Sequence, residues 1–233
     1  MYKGKKFLGI IPARGGSKRL PKKNIKELCG RPLVEWSIEA AKQSKYVDSI
    51  VVSSDNKNIL SIAEKQNVDT IIRPDFLADD KSTAINVLLH TLEQIEDTYD
   101  YVVLLQPTSP LRSNLDIDNS IEMLMRYKAN SVVSVCQAEH SPLWCNTLPD
   151  DGLMDGFMSK SLEEKRSQDL ETYFCLNGAI YIVNISKFIK EKSLMLNNTY
   201  AYVMDQFNSI DIDTSYDFIC AEAIMKNRMD DEF

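Results

Sequence analysis

Basic side chains are concentrated in one short stretch near the start of the chain. Residues 14–31 hold seven lysines and arginines and one glutamate, a local charge of +6, whereas the whole chain carries −7. Gly15 and Gly16 open this stretch, directly after a short apolar run at residues 7–11. A strand followed by a glycine turn and basic side chains is typical of a phosphate-binding loop. The pattern predicts a site for a small polyanion.

Two common nucleotide-binding motifs are absent from this loop. It has neither the G-x-x-x-x-G-K-[ST] spacing nor G-x-G-x-x-G, so a dinucleotide site is not expected. A charge run taken alone also fits a solvated basic loop. The acidic balance of the whole chain differs from that of nucleic-acid-binding domains, which are usually basic, so no nucleic-acid partner is expected.

Two carboxylates recur near the end of the chain, in the segment SIDIDT at residues 209–214. If this segment is a strand, Asp211 and Asp213 project on one face while Ile210 and Ile212 face the core. Mg²⁺ binds one or two carboxylates together with substrate phosphate oxygens. A solvated strand end that caps the last helix is the alternative. A phosphate loop in the same chain favours the metal site.

The elements that must position these residues alternate between strand-like and helix-like patterns. This alternation predicts an α/β fold with a mostly parallel sheet and helices on both faces. Arg14, Asp55, Arg73 and Gln106 each follow a predicted strand, so they should converge at the carboxyl edge of the sheet. The final helix is predicted to bury a stripe of Tyr216, Ile219, Cys220, Ala223 and Ile224.

The alternation breaks at about residue 137. We interpret residues 138–175 as an irregular arm or lid within a single domain of residues 1–233. The five cysteines are scattered and form no C-x-x-C pair, which favours free thiols in a reducing compartment. No apolar run is long enough for a membrane span or a signal peptide, so we expect a cytoplasmic protein with no membrane partner.

Six ordered segments resemble the CMP-sialic acid synthetases, also called N-acylneuraminate cytidylyltransferases, over nearly the full chain. They are IIPARGGSKRLPKKN, SSDN, IIRPDFLADD, LLQPTSPLR, NGAIYI and SIDIDT. The resemblance implies a three-layer α/β nucleotidyltransferase fold and a homodimer with residues 138–175 as the dimerisation arm. It also implies a reaction of CTP with a nonulosonic acid that gives CMP-sugar and pyrophosphate, with Mg²⁺ as cofactor.

The resemblance also implies roles for individual residues. Arg14, Lys23 and Asp211 would be catalytic, and Asp211 with Asp213 would hold the metal. The sugar would contact Gln106, Tyr181 and Arg166. The residues expected to bind the nucleotide are Arg14, Gly15, Ser17, Lys23, Asn24, Arg73, Thr83 and Gln106. No general base is identified.

The sequence departs from the family pattern at three positions. Trp144 stands where a basic residue is common, Ala84 stands where a serine is common, and the arginine of the arm, Arg166, is shifted by one position from the Gln168-Asp169 pair. A sugar of the legionaminic or pseudaminic type therefore also fits as the substrate. A 3-deoxy-manno-octulosonate cytidylyltransferase and a non-catalytic nucleotide-sugar sensor are two further functions that this fold could serve.

Overall fold

A seven-stranded sheet forms the centre of the protein. The computed structural model describes residues 1–79 and 82–231. The sheet strands are β1 (Phe7–Pro12), β4 (Ser49–Ser54), β5 (Asp69–Ile72), β6 (Tyr101–Leu105), β7 (Ser131–Gln137), β8 (Phe174–Asn184) and β9 (Thr199–Val203), and a separate hairpin pairs β2 (Glu27–Leu28) with β3 (Arg31–Pro32).

The strand order is β5-β4-β1-β6-β8-β7-β9. Strands β5, β4, β1 and β6 are parallel to one another, β7 pairs with β9 in parallel, and β8 is antiparallel to both β6 and β7. The predicted mostly parallel sheet is confirmed. The single reversed strand matters for the site, because β8 brings its own residues beside the carboxyl end of β6.

Helices cover both faces of the sheet and give three layers. They are α1 (Leu33–Gln43), α2 (Lys57–Lys65), α3 (Ala84–Glu93), α4 (Asn114–Tyr127), α5 (Lys160–Glu163), α6 (Ile185–Glu191) and α7 (Ser215–Asp231). Helices α1, α2 and α4 contribute to one apolar cluster, and α3 and α6 contribute to a second. Strands β1 and β6 lie between these clusters, which explains why both are continuous apolar runs.

A third apolar cluster packs α7 beside the basic loop. Its buried members from α7 are Phe218, Ala221 and Met225. The predicted stripe was wrong at Tyr216 and Ile219, which are 73% and 66% exposed, and at Ala223, which is also exposed. The helix carries apolar side chains on several sides, so its periodicity does not single out the buried face.

The segment at residues 209–214 is not a strand, so the predicted strand geometry of the acidic pair was wrong. Ile212 is fully buried in the third cluster, and its N–H donates to the Thr108 carbonyl at 2.7 Å. Asp211 and Asp213 flank this anchor. A single buried isoleucine therefore fixes both carboxylates without regular secondary structure.

An extended excursion leaves the sheet after β7 and returns at β8. It contains the short helix α5 and several 3₁₀ turns, and most of its residues are exposed. The predicted irregular excursion is therefore present, but it ends at residue 173, because residues 174–175 belong to β8. Its role as an arm in a dimer stays a prediction. Among the helices of residues 1–79 and 82–231, none has the length and apolarity that crossing a bilayer requires.

Candidate active site

A cleft of about 560 Å³ lies at the carboxyl edge of the sheet. It is bordered by the segments that follow β1, β5 and β6 and by the acidic segment after β9. Its lining includes Arg14, Gly16, Ser17, Lys18, Arg19, Lys23, Asn24, Arg73, Ser82, Ala84, Gln106, Thr108, Asp211 and Asp213. A larger cavity, of about 790 Å³, lies at the amino ends of the strands, away from the basic loop and both aspartates.

The two glycines of the basic loop have different surroundings. The Gly15 N–H donates to Asp55 Oδ1 at 2.9 Å, and a Cβ on Gly15 would lie 2.7 Å from Asn56 Nδ2. Asn56 caps helix α2. Gly15 therefore lets the loop pack against the start of α2, while Gly16 and Ser17 line the cleft.

Lys23 joins the basic loop to the acidic segment. Its ammonium group donates to the Ile212 carbonyl at 2.7 Å and to Asp213 Oδ1 at 3.1 Å. Arg19 pairs with the other oxygen of Asp213 at 2.8 Å. The Lys23 side chain is 12% exposed, whereas that of Arg19 is 68% exposed, so the lysine is the more firmly held contact. Two stretches far apart in sequence thus meet in one cleft.

The Asp211 carboxylate lies in an environment that disfavours its charge. Although part of this side chain faces open solvent, the surrounding protein reduces its hydration and raises its pKa, and the charge of Asp213 raises that pKa further. A hydrogen bond from Thr108 and the charge of Lys23 act in the opposite direction. A cation bound beside Asp211 would lower the free-energy cost of keeping this carboxylate ionised.

Gly178 on β8 keeps space for Gln106 and Asp211. Its φ is +72°, a left-handed conformation that favours glycine. A Cβ at this position would lie 2.9 Å from Gln106 Oε1 and 3.7 Å from Asp211 Oδ2. Any larger residue at position 178 would therefore crowd the Gln106 amide, which lines the cleft.

Asn24 and Arg73 are buried polar residues of the cleft lining. Asn24 Nδ2 donates to the Arg14 carbonyl at 2.8 Å and so fixes the path of the basic loop. Arg73 Nη2 donates to the Ser53 carbonyl at 2.7 Å. Burial lowers the pKa of Arg73 to about 10, which leaves it a cation at neutral pH.

Four predicted site residues lie outside this lining, and one of them is Gly15, which packs against Asn56 instead. Thr83 caps helix α3 by accepting a hydrogen bond from the Asn86 N–H. Tyr181 is half-buried on β8, where burial and the charge of Asp211 raise its pKa. Arg166 is exposed in the arm and does not line the cleft of its own chain.

One buried arginine was missed by sequence reasoning. Arg112 is 3% exposed and donates to the carbonyls of Gln106 and Ala179, at 3.2 and 2.9 Å, and to Ser37 Oγ at 2.7 Å. Burial lowers its pKa to about 10. It positions the loop that carries Gln106. No local pattern around it signals burial, although it lies in the segment LLQPTSPLR.

The two aspartates of the cleft supply oxygen ligands of the kind that Mg²⁺ takes. Within the part of the chain that the structure describes, no group of three or more His, Cys, Asp or Glu residues is placed to hold a metal. Two carboxylates fit Mg²⁺ when phosphate oxygens and water complete its shell. Asp213 is already paired with Arg19 and Lys23, so these cations would have to give way to a metal.

Comparison with known proteins decides the family. Residues 8–150 match the family model described as Cytidylyltransferase. The chain belongs to the cytidylyltransferase family. The matched residues include the basic loop, Arg73 and Gln106, so most of the cleft of this cytidylyltransferase falls within the family model.

Two curated relatives and one solved structure resemble this cytidylyltransferase. The CMP-N,N'-diacetyllegionaminic acid synthase of Legionella pneumophila is 36% identical over 95% of the chain and 97% of that protein. The N-acylneuraminate cytidylyltransferase of Streptococcus agalactiae serotype V is 37% identical over 90% of the chain, which spans about half (51%) of that longer protein. A solved structure of a CMP:2-keto-3-deoxy-manno-octonic acid synthetase complexed with CTP has a TM-score of 0.72 at 15% identity. The match covers 96% of this chain and 99% of that chain, and it shows a shared nucleotidyltransferase fold.

Proposed function

We propose that this cytidylyltransferase joins CTP to a nonulosonic acid and releases pyrophosphate. The observation that carries the proposal is the contact of Lys23 with Asp213 in one cleft. Basic groups that would hold a triphosphate lie here beside carboxylates that would hold a divalent cation, which supports the proposal. The names of the Legionella and Streptococcus relatives support a sugar acid of the legionaminate or N-acylneuraminate type.

In the proposed reaction, the anomeric hydroxyl of the sugar attacks the α-phosphorus of CTP. The bond from that phosphorus to the oxygen bridging to the β-phosphate breaks, and pyrophosphate leaves. Both substrates are anions, so their approach is opposed by repulsion. Arg14 and Lys23 offset this repulsion and stabilise the transferring group by position and charge. A triphosphate carries more charge than one carboxylate, so it draws the Lys23 ammonium away from Asp213.

Asp211 and Asp213 are the residues that would hold Mg²⁺. When bound, the ion would neutralise phosphate charge and fix the orientation of the triphosphate. Its binding would also offset the reduced hydration of Asp211 and the charge of Asp213, which both raise the pKa of Asp211.

Gln106 and Tyr181 are the proposed sugar contacts from the same chain, since both lie beside Asp211. Arg166, in the arm, would depend on how the arm packs in the proposed homodimer. Trp144 is also an arm residue, and an indole suits a less hydrophilic sugar than a basic side chain does. This favours a diacetamido sugar, as in the name of the Legionella relative, over N-acetylneuraminate.

A substrate panel tests this proposal. Pyrophosphate release is measured with CTP, Mg²⁺ and, in turn, N-acetylneuraminate, diacetyllegionaminate, pseudaminate and 3-deoxy-manno-octulosonate. We expect the highest kcat/KM with a nine-carbon acid, and with the legionaminate first among them. A preference for the octulosonate would contradict the proposal. CTP binding by calorimetry without pyrophosphate release from any sugar would indicate a non-catalytic sensor.

A further inference from the structure

Two cysteines lie opposite each other where the arm leaves the sheet. Cys136 on β7 pairs in register with Cys175 on antiparallel β8, between the pairs Val135–Leu176 and Gln137–Phe174. Opposed residues of antiparallel strands have Cα atoms about 4.5–5.5 Å apart, with both side chains on one face. A disulfide needs a Cα separation of roughly 4.4–6.8 Å. The Cα separation therefore falls within the range that a disulfide needs, and the two Cβ atoms, about 4.5–5.5 Å apart in such a pair, would move closer by up to about 1 Å when the bond forms.

Both thiols can be reached by a small reagent. Cys175 is exposed, and Cys136 is partly exposed. We propose that Cys136 and Cys175 are a redox-sensitive pair that forms a reversible disulfide when the protein meets a small-molecule disulfide such as oxidised glutathione. The proposal concerns the arm and does not depend on the proposed function.

The bridge would form by two successive steps of thiol–disulfide exchange. The exposed Cys175 thiolate attacks the reagent, forms a mixed disulfide and releases one reagent thiolate. The Cys136 thiolate then attacks the Cys175 sulfur and releases the second. The protein loses two protons and two electrons, and the reagent becomes two thiols. Burial raises the pKa of Cys136, so Cys175 is better suited to the first attack.

The other cysteines have different neighbours. Cys29 faces the Glu222 carbonyl of α7, Cys145 faces the Ser141 carbonyl inside the arm, and Cys220 lies on α7. No strand pairing of the described residues opposes any of these three to another cysteine. The register therefore favours one specific bridge.

The bridge would join the two ends of the arm. The strands at its base are already held by the Ala138 N–H, which donates to the Tyr173 carbonyl at 2.8 Å. A covalent bond next to this contact would keep the base from opening. Cys136 also lies near Ser209, two positions before Asp211, so the bridge would form close to the acidic segment.

Peptide mapping tests the proposal. The protein is incubated with oxidised glutathione, alkylated and digested with trypsin without reduction. Cys136 falls in the peptide of residues 129–160 with Cys145, and Cys175 falls alone in residues 167–187. We expect these two peptides to appear linked, at about 2 Da below their summed masses. Cys145→Ser is the matched control and should keep the link, whereas Cys136→Ser and Cys175→Ser should lose it.

Two outcomes would overturn the inference. One is glutathione on Cys175 while Cys136 stays free to react with the alkylating reagent. The other is a link between the Cys175 residues of two copies, seen as a band of twice the chain mass on a non-reducing gel. Hydrogen exchange gives an independent check, since the amides of residues 137–138 and 173–174 should exchange more slowly in the oxidised wild type than in oxidised Cys136→Ser.

Discussion

Lys23 is the side chain that connects the basic loop with the acidic segment. Replacing Lys23 with Ala should lower turnover at least about a hundredfold, on the order of 3 kcal/mol, because a charge that stabilises the transferring phosphate is lost. Steady-state kinetics with CTP and Mg²⁺ measure the effect. Lys22→Ala is the matched control, since it removes the same charge one position away, outside the cleft lining. Equal losses in both variants would remove Lys23 from the catalytic scheme.

Replacing Asp211 with Asn should raise the stability of the protein and lower its activity. Its raised pKa means that ionisation disfavours the folded state. The folded wild type therefore loses stability as the pH rises from the ordinary carboxyl pKa towards the raised pKa of Asp211. Asp211→Asn should therefore lower turnover at least about a hundredfold and still unfold at a higher temperature than wild type at pH 7, with the difference narrowing as the pH falls. Thermal unfolding at several pH values checks the sign, and a less stable variant at pH 7 would contradict it.

Sequence reasoning predicted that residues from two short charged motifs would share one site, and their proximity is confirmed. Lys23 and Asp213 belong to a charge cluster and an aspartate repeat, and the structure brings them into contact. Arg112 was missed because a single arginine carries no local sign that its partners are backbone carbonyls on distant elements. Its burial is decided by tertiary packing alone.

Gly178 on strand β8 leaves the space that the Gln106 side chain occupies. Replacing this glycine with Ala should cost roughly 1 kcal/mol of stability from its left-handed φ. It should also lower kcat/KM, because the new Cβ would displace Gln106. Gly30→Ala is the matched control, since Gly30 has a similar φ of +77° with no atom within 4 Å of a new Cβ. Kinetics and chemical unfolding of both variants separate the two effects, and unchanged kinetics in Gly178→Ala would contradict the role of Gly178.

Long runs of alternating strands and helices were predicted well, whereas a short segment with a strand-like alternation was not. The parallel strands and the arm were recognised from alternation and from its interruption. The segment at residues 209–214 alternates like a strand but is held by the burial of Ile212 and by its bond to the Thr108 carbonyl. That support comes from the loop after β6, about a hundred residues earlier in the chain, which a local pattern does not include.

At the scale of the whole molecule, the arm and the sheet edge beside it predict a homodimer. Leu176 and Val203 both lie opposite Val135, in a row across β8, β7 and edge strand β9, and they are 55% and 54% exposed. Sedimentation should give twice the chain mass of 26.6 kDa. Leu176→Asp with Val203→Asp should give monomers, whereas Leu115→Asp, at an exposed leucine of α4, should not. A monomeric wild type would contradict the prediction.

A crystal structure with CTP and Mn²⁺ in place of Mg²⁺ tests the central claim most directly, since anomalous scattering locates the ion. We predict the triphosphate in the cleft against Lys23, the ion on Asp211 and Asp213, and the ion pair between Lys23 and Asp213 broken. Nucleotide bound in the larger cavity at the amino ends of the strands, or an ion away from both aspartates, would contradict the account.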